Sequence, residues 1–279
     1  MQQRKRTIKE CDNIGNDIGN RKKRYRKRRN RKQKRRFFIV ICIIVCALII
    51  NGFGGPGEII ENVFEKYSVE ELIEKGYPES LAELYIRNSA AKEFVLGYKN
   101  YDGNPEDIDI SGEIQKGKIP IFLQWDSRWG YEIYGDDFMA ITGCGPTALS
   151  MVYSGLTGDA SLHPLKMARL AEENGYYVAG SGSSWNMMTG LAEKVGLTVW
   201  KPSFTAESIK AELEKGHPII CIMGPGDFTT TGHFIVLTGV MDGKVTVNDP
   251  NSPKNSEMLW EIEAIMTQIR DLWAYGYEI

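Results

Sequence analysis

Phe37 to Ile50 is an unbroken run of fourteen apolar residues, and it directly follows a segment, Met1 to Arg36, that carries 17 Lys/Arg against 3 Asp/Glu. This junction divides the 279-residue chain into parts that meet different surroundings. A bilayer core needs roughly 20 residues at about 1.5 Å of rise each. A helix from about Phe37 to Gly55, extended through the uncharged Asn51-Gly-Phe-Gly-Gly, therefore spans narrowly. A signal peptide is the competing reading, since its apolar core is typically about 7–15 residues. No small-x-small cleavage site follows Ile50, however, and the basic region is long for such a peptide, so a retained single-pass anchor at 37–55 is expected. Lys and Arg beside a span stay on the cytoplasmic side. Residues 1–36 are accordingly expected as a cytoplasmic tail, and everything after Gly55 as extracytoplasmic, at a bacterial cell surface. The tail would be drawn to anionic lipid headgroups. The same charge attracts nucleic acid, but topology accounts for it and no nucleic-acid partner is expected.

Beyond Arg36 the balance reverses: 17 of the 34 Lys/Arg remain against 33 of the 36 Asp/Glu. Cys11 precedes the apolar run and Cys42 and Cys46 lie within it, leaving Cys144 and Cys221 outside. Two cysteines make no disulfide framework, so the exterior part has to rely on its core. The three histidines and these cysteines show no ligand spacing such as C-x-x-C or H-E-x-x-H, and neither a metal nor another cofactor is expected.

Residues 56–117 read as a helical stalk or pro-like segment with a linker. Leu72, Leu81, Leu84, Tyr85, Phe94 and Val95 supply apolar positions, interrupted at Gly76 and Pro78, while Tyr98 to Lys118 carries turn residues such as Asp102-Gly-Asn-Pro105. A stalk, a small pack against the following domain and an inhibitory pro-segment are equally compatible with this composition. From 118 to 279 the pattern is α+β. Ile119 to Leu123 reads as a short strand and Gly145-Pro146 opens a helix to about Ser154, because proline is tolerated in a first helical turn. Further helices are expected at Pro164 to Glu173, Ser184 to Lys194, and Thr205 to Lys215 with Thr205 as N-cap. Strands are expected at Thr198 to Lys201, Pro218 to Met223, His233 to Val240, Lys244 to Asn248 and Leu272 to Tyr277, separated by Gly, Pro and Asp turns. A helical half followed by an antiparallel half is an α+β layout.

The segment Thr142-Gly-Cys-Gly-Pro-Thr-Ala-Leu-Ser-Met151 places Cys144 at the start of a helix. Free N–H groups and the partial positive charge there favour thiolate over thiol and stabilise a developing oxyanion. Flanking glycines are expected to let a substrate backbone approach the sulfur. A thiolate needs a base, and Gly232-His-Phe-Ile-Val236 puts His233 at the opening of an apolar strand, after a Gly-rich loop. His163 and His217 each precede a proline and read as surface or capping residues. To orient the imidazole, Val247-Asn-Asp-Pro250 supplies Asp249 or Asn248; side chains alternate along a strand, so one of the two should face His233. Gln124, in Phe122-Leu-Gln-Trp-Asp126, has an amide that could join the Cys144 N–H in an oxyanion hole. Trp125, Trp129 and Trp185 are cleft or core aromatics, Asp126 and Arg128 a local ion pair, and Cys221 a buried apolar filler.

On Pro120-Ile-Phe-Leu-Gln-Trp-Asp-Ser-Arg-Trp129, Gly143-Cys-Gly-Pro-Thr-Ala-Leu-Ser-Met151, Gly232-His-Phe-Ile-Val236 and Asn248-Asp-Pro250, the chain from Ile119 onward resembles the C39-like peptidases of the papain clan. The resemblance implies a papain-like fold at 118–279, with Cys144 as nucleophile, His233 as base, Asp249 as orienting group and Gln124 as oxyanion donor, acting on a peptide or protein substrate. Family members fused to peptide exporters cut leader peptides, but no ATP-binding cassette motif or multi-span region is present here, so the substrate does not carry over. Two other functions fit the same residues: a peptidoglycan-directed amidase or endopeptidase, since papain-like sites serve several acyl transfers, and a non-catalytic surface binding domain.

Overall fold

The computed structural model describes residues 67–103, 105 and 108–277. The basic tail at 1–36 and the anchor at 37–55 lie outside the described residues. Among those described, no helix is long and apolar enough to cross a membrane.

The first helices follow from local chemistry. Ser68 caps α1 (Val69–Glu74) in a reciprocal box: its hydroxyl accepts from the Glu71 N–H at 3.2 Å while the Glu71 carboxylate accepts from the Ser68 N–H at 2.7 Å. Pro78 then starts α2 (Glu79–Arg87), whose apolar face, Leu81, Leu84 and Tyr85, is fully buried. With α3 (Lys92–Gly97) these helices enclose an apolar cluster that includes Tyr131 and Ala140 and is flanked by Trp125, Phe138 and Ile141. Residues 67–101 are thus packed on the elements that follow.

A small hairpin, β1 (Ile133–Tyr134) and β2 (Asp137–Phe138), leads into α4 (Met139–Thr142) and the long α5 (Cys144–Thr157). Helix α5 is buried from Gly145 to Gly155 and ends on Gly158 at φ 78°, a left-handed C-cap. It packs against α6 (Pro164–Glu173), which His163 caps, and α7 (Met187–Lys194); a second small hairpin, β3 (Tyr177–Val178) with β4 (Gly182–Ser183), lies between those two helices in sequence.

The remaining chain builds a six-stranded sheet in the order β5-β10-β6-β7-β8-β9, every neighbouring pair antiparallel. The strands are β5 (Thr198–Trp200), β6 (Ile219–Met223), β7 (His233–Met241), β8 (Lys244–Asn248), β9 (Leu259–Trp260) and β10 (Ile269–Gly276). The sheet has apolar side chains on both faces. Ile220, Ile222, Phe234 and Val236 join the cluster around α5, while Ile219, Cys221, Ile235 and Leu237 meet Ile209 and Leu213 of α8 (Ala206–Glu214) and Ile262 and Ile265 of α10 (Ile262–Met266). Strand β6 is buried at every position, which is why it reads as a continuous apolar run rather than an alternating one. A short α9 (Pro253–Glu257) follows β8.

One expected strand does not form. Ile119 to Leu123 is irregular, because Pro120 has no N–H to give a ladder and the carbonyls of Ile119 and Pro120 are taken by the Asn248 side-chain amide at 3.2 and 2.8 Å. The segment is held by a side chain from β8 instead of by a neighbouring strand.

Candidate active site

Cys144 is the first residue of α5, and His233 the first of β7, a strand packed directly on that helix. The imidazole uses Nε2 for Asp249 Oδ1 at 2.7 Å, which leaves Nδ1 available to Cys144, whose thiol His233 lowers through hydrogen bonding and charge. His233 is 6% exposed and Asp249 fully buried, whereas Cys144 is partly exposed at the floor of a groove of about 910 Å³. Asp249, not its neighbour Asn248, faces the imidazole. The alternation expected of a strand separates the two, and Asn248 points to the 119–120 carbonyls.

Asp249 is itself held on all sides. Its Oδ1 also accepts from the Asn251 N–H at 2.8 Å, its Oδ2 accepts from Asn255 Nδ2 at 2.8 Å, and its own N–H donates to the Ser256 hydroxyl at 2.9 Å. The loop carrying it is clipped from outside: the Asn251 carbonyl accepts from Trp125 Nε1 at 3.1 Å and from Asn88 Nδ2 at 2.8 Å. Asn251, Asn255, Ser256 and Asn88 were not singled out by sequence. The first three sit in a turn-rich stretch after Asp249 whose Asn and Ser content signals local side-chain bonding, while Asn88 carries no signal that it would fold back onto residue 251.

These contacts set the charge state. Burial pushes the Cys144 thiol up, but the hydrogen bond and charge of His233, with the Phe234 and Gly145 N–H groups, outweigh it and hold the thiol below its ordinary value. Burial also opposes the His233 imidazolium; the Asp249 carboxylate and the Cys144 sulfur overcome this and raise it from 6.5 to about 10. Burial would raise Asp249 too, yet the adjacent imidazolium and its two asparagine partners keep it below the usual carboxylate range. All three directions favour a thiolate–imidazolium pair beside a carboxylate at neutral pH. Such a pair is an activated nucleophile with a proton in place for a leaving group.

Gln124 is 4% exposed and lies against α4, its amide nitrogen donating to the Ala140 carbonyl at 2.8 Å, with the Ile141 carbonyl at 3.4 Å. Its N–H bonds to Pro250 O at 2.7 Å, tying the 119–124 segment to the Asp249 loop. The glycines beside Cys144 serve packing rather than substrate approach. A Cβ on Gly145 would stand 2.6 Å from Ser183 Oγ, and one on Gly143 2.5 Å from the Met139 carbonyl, so each lets a neighbouring element close on the start of α5.

The groove walls come from several elements: Asp136, Asp137, Ile141 and Thr142 on one stretch, Gly180 to Ser183 and Trp185 on another, Ile222, Met223 and Thr231 to Phe234 at the sheet, with Arg87 and Arg270 completing them. Of the three tryptophans, Trp129 is fully buried, Trp125 half-buried, and Trp185 lines the groove at 47% exposure. Arg128 does pair with Asp126 at 2.7 Å and also with Glu113 at 2.5 Å. His163 accepts from the Lys166 N–H as a buried cap, and His217 bonds Glu212 at 2.7 Å, so neither meets the groove. Cys221 is fully buried in β6, its thiol pushed far up by burial. Among the described residues, no cluster of His, Cys, Asp and Glu is arranged to hold a metal ion.

The profile of the Peptidase_C39 like family matches residues 116–277. Among solved structures, the peptidase domain of Streptococcus ComA, a bi-functional ABC transporter involved in a quorum sensing pathway, is 16% identical; the match covers 53% of this chain and 99% of that one at a TM-score of 0.38. A chain described as a C39-like peptidase from Bacillus anthracis is 17% identical, covering 59% of this chain and 98% of that one, also at a TM-score of 0.38. No curated protein matches the chain.

Proposed function

The chain belongs to the Peptidase_C39 like family, and from that premise we propose that it is a cysteine peptidase in which Cys144 is the nucleophile, His233 the acid–base and Asp249 the group that orients His233. The observation that carries this reading is the buried His233–Asp249 hydrogen bond at 2.7 Å on the strand packed against the helix that Cys144 starts, with Cys144 lining the groove and the other two members shielded.

The chemistry follows from that arrangement. The Cys144 thiolate attacks a substrate carbonyl carbon, and the carbonyl π electrons move to oxygen. The resulting oxyanion meets the N–H groups at the start of α5, and Gln124 becomes a further donor when its amide nitrogen, bonded to the Ala140 carbonyl, gives up its long 3.4 Å bond to Ile141. As the tetrahedral species collapses, the C–N bond breaks and the His233 proton passes to the departing amine, leaving a thioester on Cys144 and a neutral imidazole. A water then loses a proton to His233 as it adds to the thioester, and release of the carboxylic acid restores the thiolate–imidazolium pair. Asp249 keeps the ring in one orientation and stabilises its charged form throughout.

The proposal extends to location. The basic segment at 1–36 followed by the apolar residues of 37–55 supports a single-pass anchor with the peptidase domain, 118–279, outside the cytoplasm, where its substrate would be a peptide or protein.

Digestion of a defined peptide mixture by the full chain, with products read by mass spectrometry, tests the activity. New termini that arise with the untreated protein and vanish after iodoacetamide treatment are the expected result. An intact mixture, from protein whose Cys144 still accepts iodoacetamide, would count against peptidase activity.

A further inference from the structure

Residues 67–101 precede the segment matched by the family profile, yet they reach the groove. Helix α2 is fixed by its buried Leu81, Leu84 and Tyr85, by Ser80 Oγ donating to Asp137 Oδ1 at 2.8 Å, and by the Asn88 bond to the Asp249 loop. Its last residue, Arg87, is thereby set on the groove wall with an exposed guanidinium. A second arginine arrives from a different element. The β10–β6 ladder shifts register between Ile269 and Asp271, leaving Arg270 out of the pairing, and its guanidinium passes over Gly224, where a Cβ would stand 2.2 Å from Nε. Gly224 thus keeps open the space that Arg270 occupies at the groove.

The charges facing them differ in kind. Asp136 and Asp137 also line the groove, but Asp136 accepts from the Tyr177 hydroxyl and the Gly180 N–H, and Asp137 from the Ser80 hydroxyl and the Phe138 N–H. Among the described residues, neither arginine has an ion-pair or hydrogen-bond partner. The groove therefore combines two partnered carboxylates with two free, forked cationic donors, a geometry suited to carboxylates.

We propose that Arg87 and Arg270 are specificity-determining residues that select peptides bearing acidic side chains within the groove, and that residues 67–101 are consequently part of the substrate-binding unit. This deepens the peptidase reading and rests on it for the identity of the substrate as a cleaved peptide. An exposed ion pair changes affinity by about threefold, so two acting together give about tenfold.

The test uses the full chain carrying Cys144→Ala and two fluorescently labelled peptides that differ only in Glu against Gln, compared by anisotropy at low and high salt. The Glu peptide should bind about tenfold more tightly at low salt. Arg87→Gln or Arg270→Gln should each cut that ratio about threefold, the double variant should bring it near one, and high salt should erase it. Because both peptides are measured on the same protein, partial unfolding of a variant cancels from the ratio. Equal binding of the two peptides to the parent, or a preference that survives in the double variant, overturns the inference. A parallel digestion by the Cys144-containing chain separates it from the peptidase reading. Cleavage with no acidic preference contradicts the arginine assignment and leaves the peptidase intact; arginine-dependent acidic binding without cleavage supports the assignment and contradicts the peptidase.

Discussion

Cys144→Ala is expected to lower peptide hydrolysis by a factor on the order of 10⁴ or more, while the melting transition of the protein stays within a few degrees of the parent. The loss is large because no other group can take the sulfur's part. Cys221 is sealed inside β6, and among the described residues the groove holds no second thiol. The fold should survive because alanine suits the first turn of a helix and the packing glycines at 143 and 145 are untouched. Rates from a fluorogenic peptide, paired with a thermal melt, check both halves. Hydrolysis at the parental rate would remove Cys144 from the mechanism.

Asp249→Ala should damage the fold as well as turnover. The carboxylate receives His233 Nε2, the Asn251 N–H and Asn255 Nδ2, so its removal strands three donors in a buried place and leaves the imidazolium without its counter-charge. Breaking a buried, hydrogen-bonded pair in this way costs about 3–5 kcal/mol. The direction of the pH effect follows from the same contacts. In the parent, the His233 pKa is raised from 6.5 to about 10, so its contribution to stability is fully present below 6.5 and fades as the pH rises through about 10. Without Asp249, burial is opposed only by the thiolate, and the His233 pKa falls. Asp249, held below its ordinary 3.8, contributes above that value and less as the pH falls, so the variant should lose most stability, relative to the parent, from pH 3.8 to neutrality, and less in stronger acid or above pH 10. Its residual activity should also decline on the alkaline side at a lower pH than the parent's, because the imidazolium that donates to the leaving amine disappears sooner. Denaturant melts at several pH values and a pH–rate profile check these signs. An alkaline limb unmoved by the substitution would contradict the assigned role of Asp249.

Much of this arrangement could be read from residues alone, for identifiable reasons. Cys144 stands before a proline and a run of small and apolar residues, a pattern that only a helix start accommodates, and α5 begins there. The helix at Pro164–Glu173 and the strand at Lys244–Asn248 have the expected bounds because both are framed by strong signals, a proline at the first and an Asp-Gly turn before the second. Strand β10 starts three residues earlier than expected, at Ile269, where the bulge beside Arg270 breaks the alternation a sequence pattern relies on.

What stayed hidden depends on contacts between distant residues. The segment at Ile119 to Leu123 has strand composition, but its carbonyls are met by Asn248, and no local rule announces that. The glycines around Cys144 have the composition of a substrate-facing loop, but what each must avoid is Ser183 or the Met139 carbonyl. Arg87 ends and Asn88 C-caps a helix whose apolar face showed that it packs, without showing on what; only the tertiary fold brings residue 88 to residue 251.

The proposed chemistry requires an activated thiol, and the most direct measurement of it is the rate of Cys144 alkylation by iodoacetamide as a function of pH, followed by mass spectrometry on the Cys144 peptide of the full chain and of its His233→Ala variant. A thiolate held by His233 reacts well below the ordinary thiol pKa of about 8.5, and the variant loses that low-pH reactivity. A Cys144 that titrates like an unperturbed thiol in both proteins would contradict the thiolate–imidazolium pair, and with it the proposed mechanism.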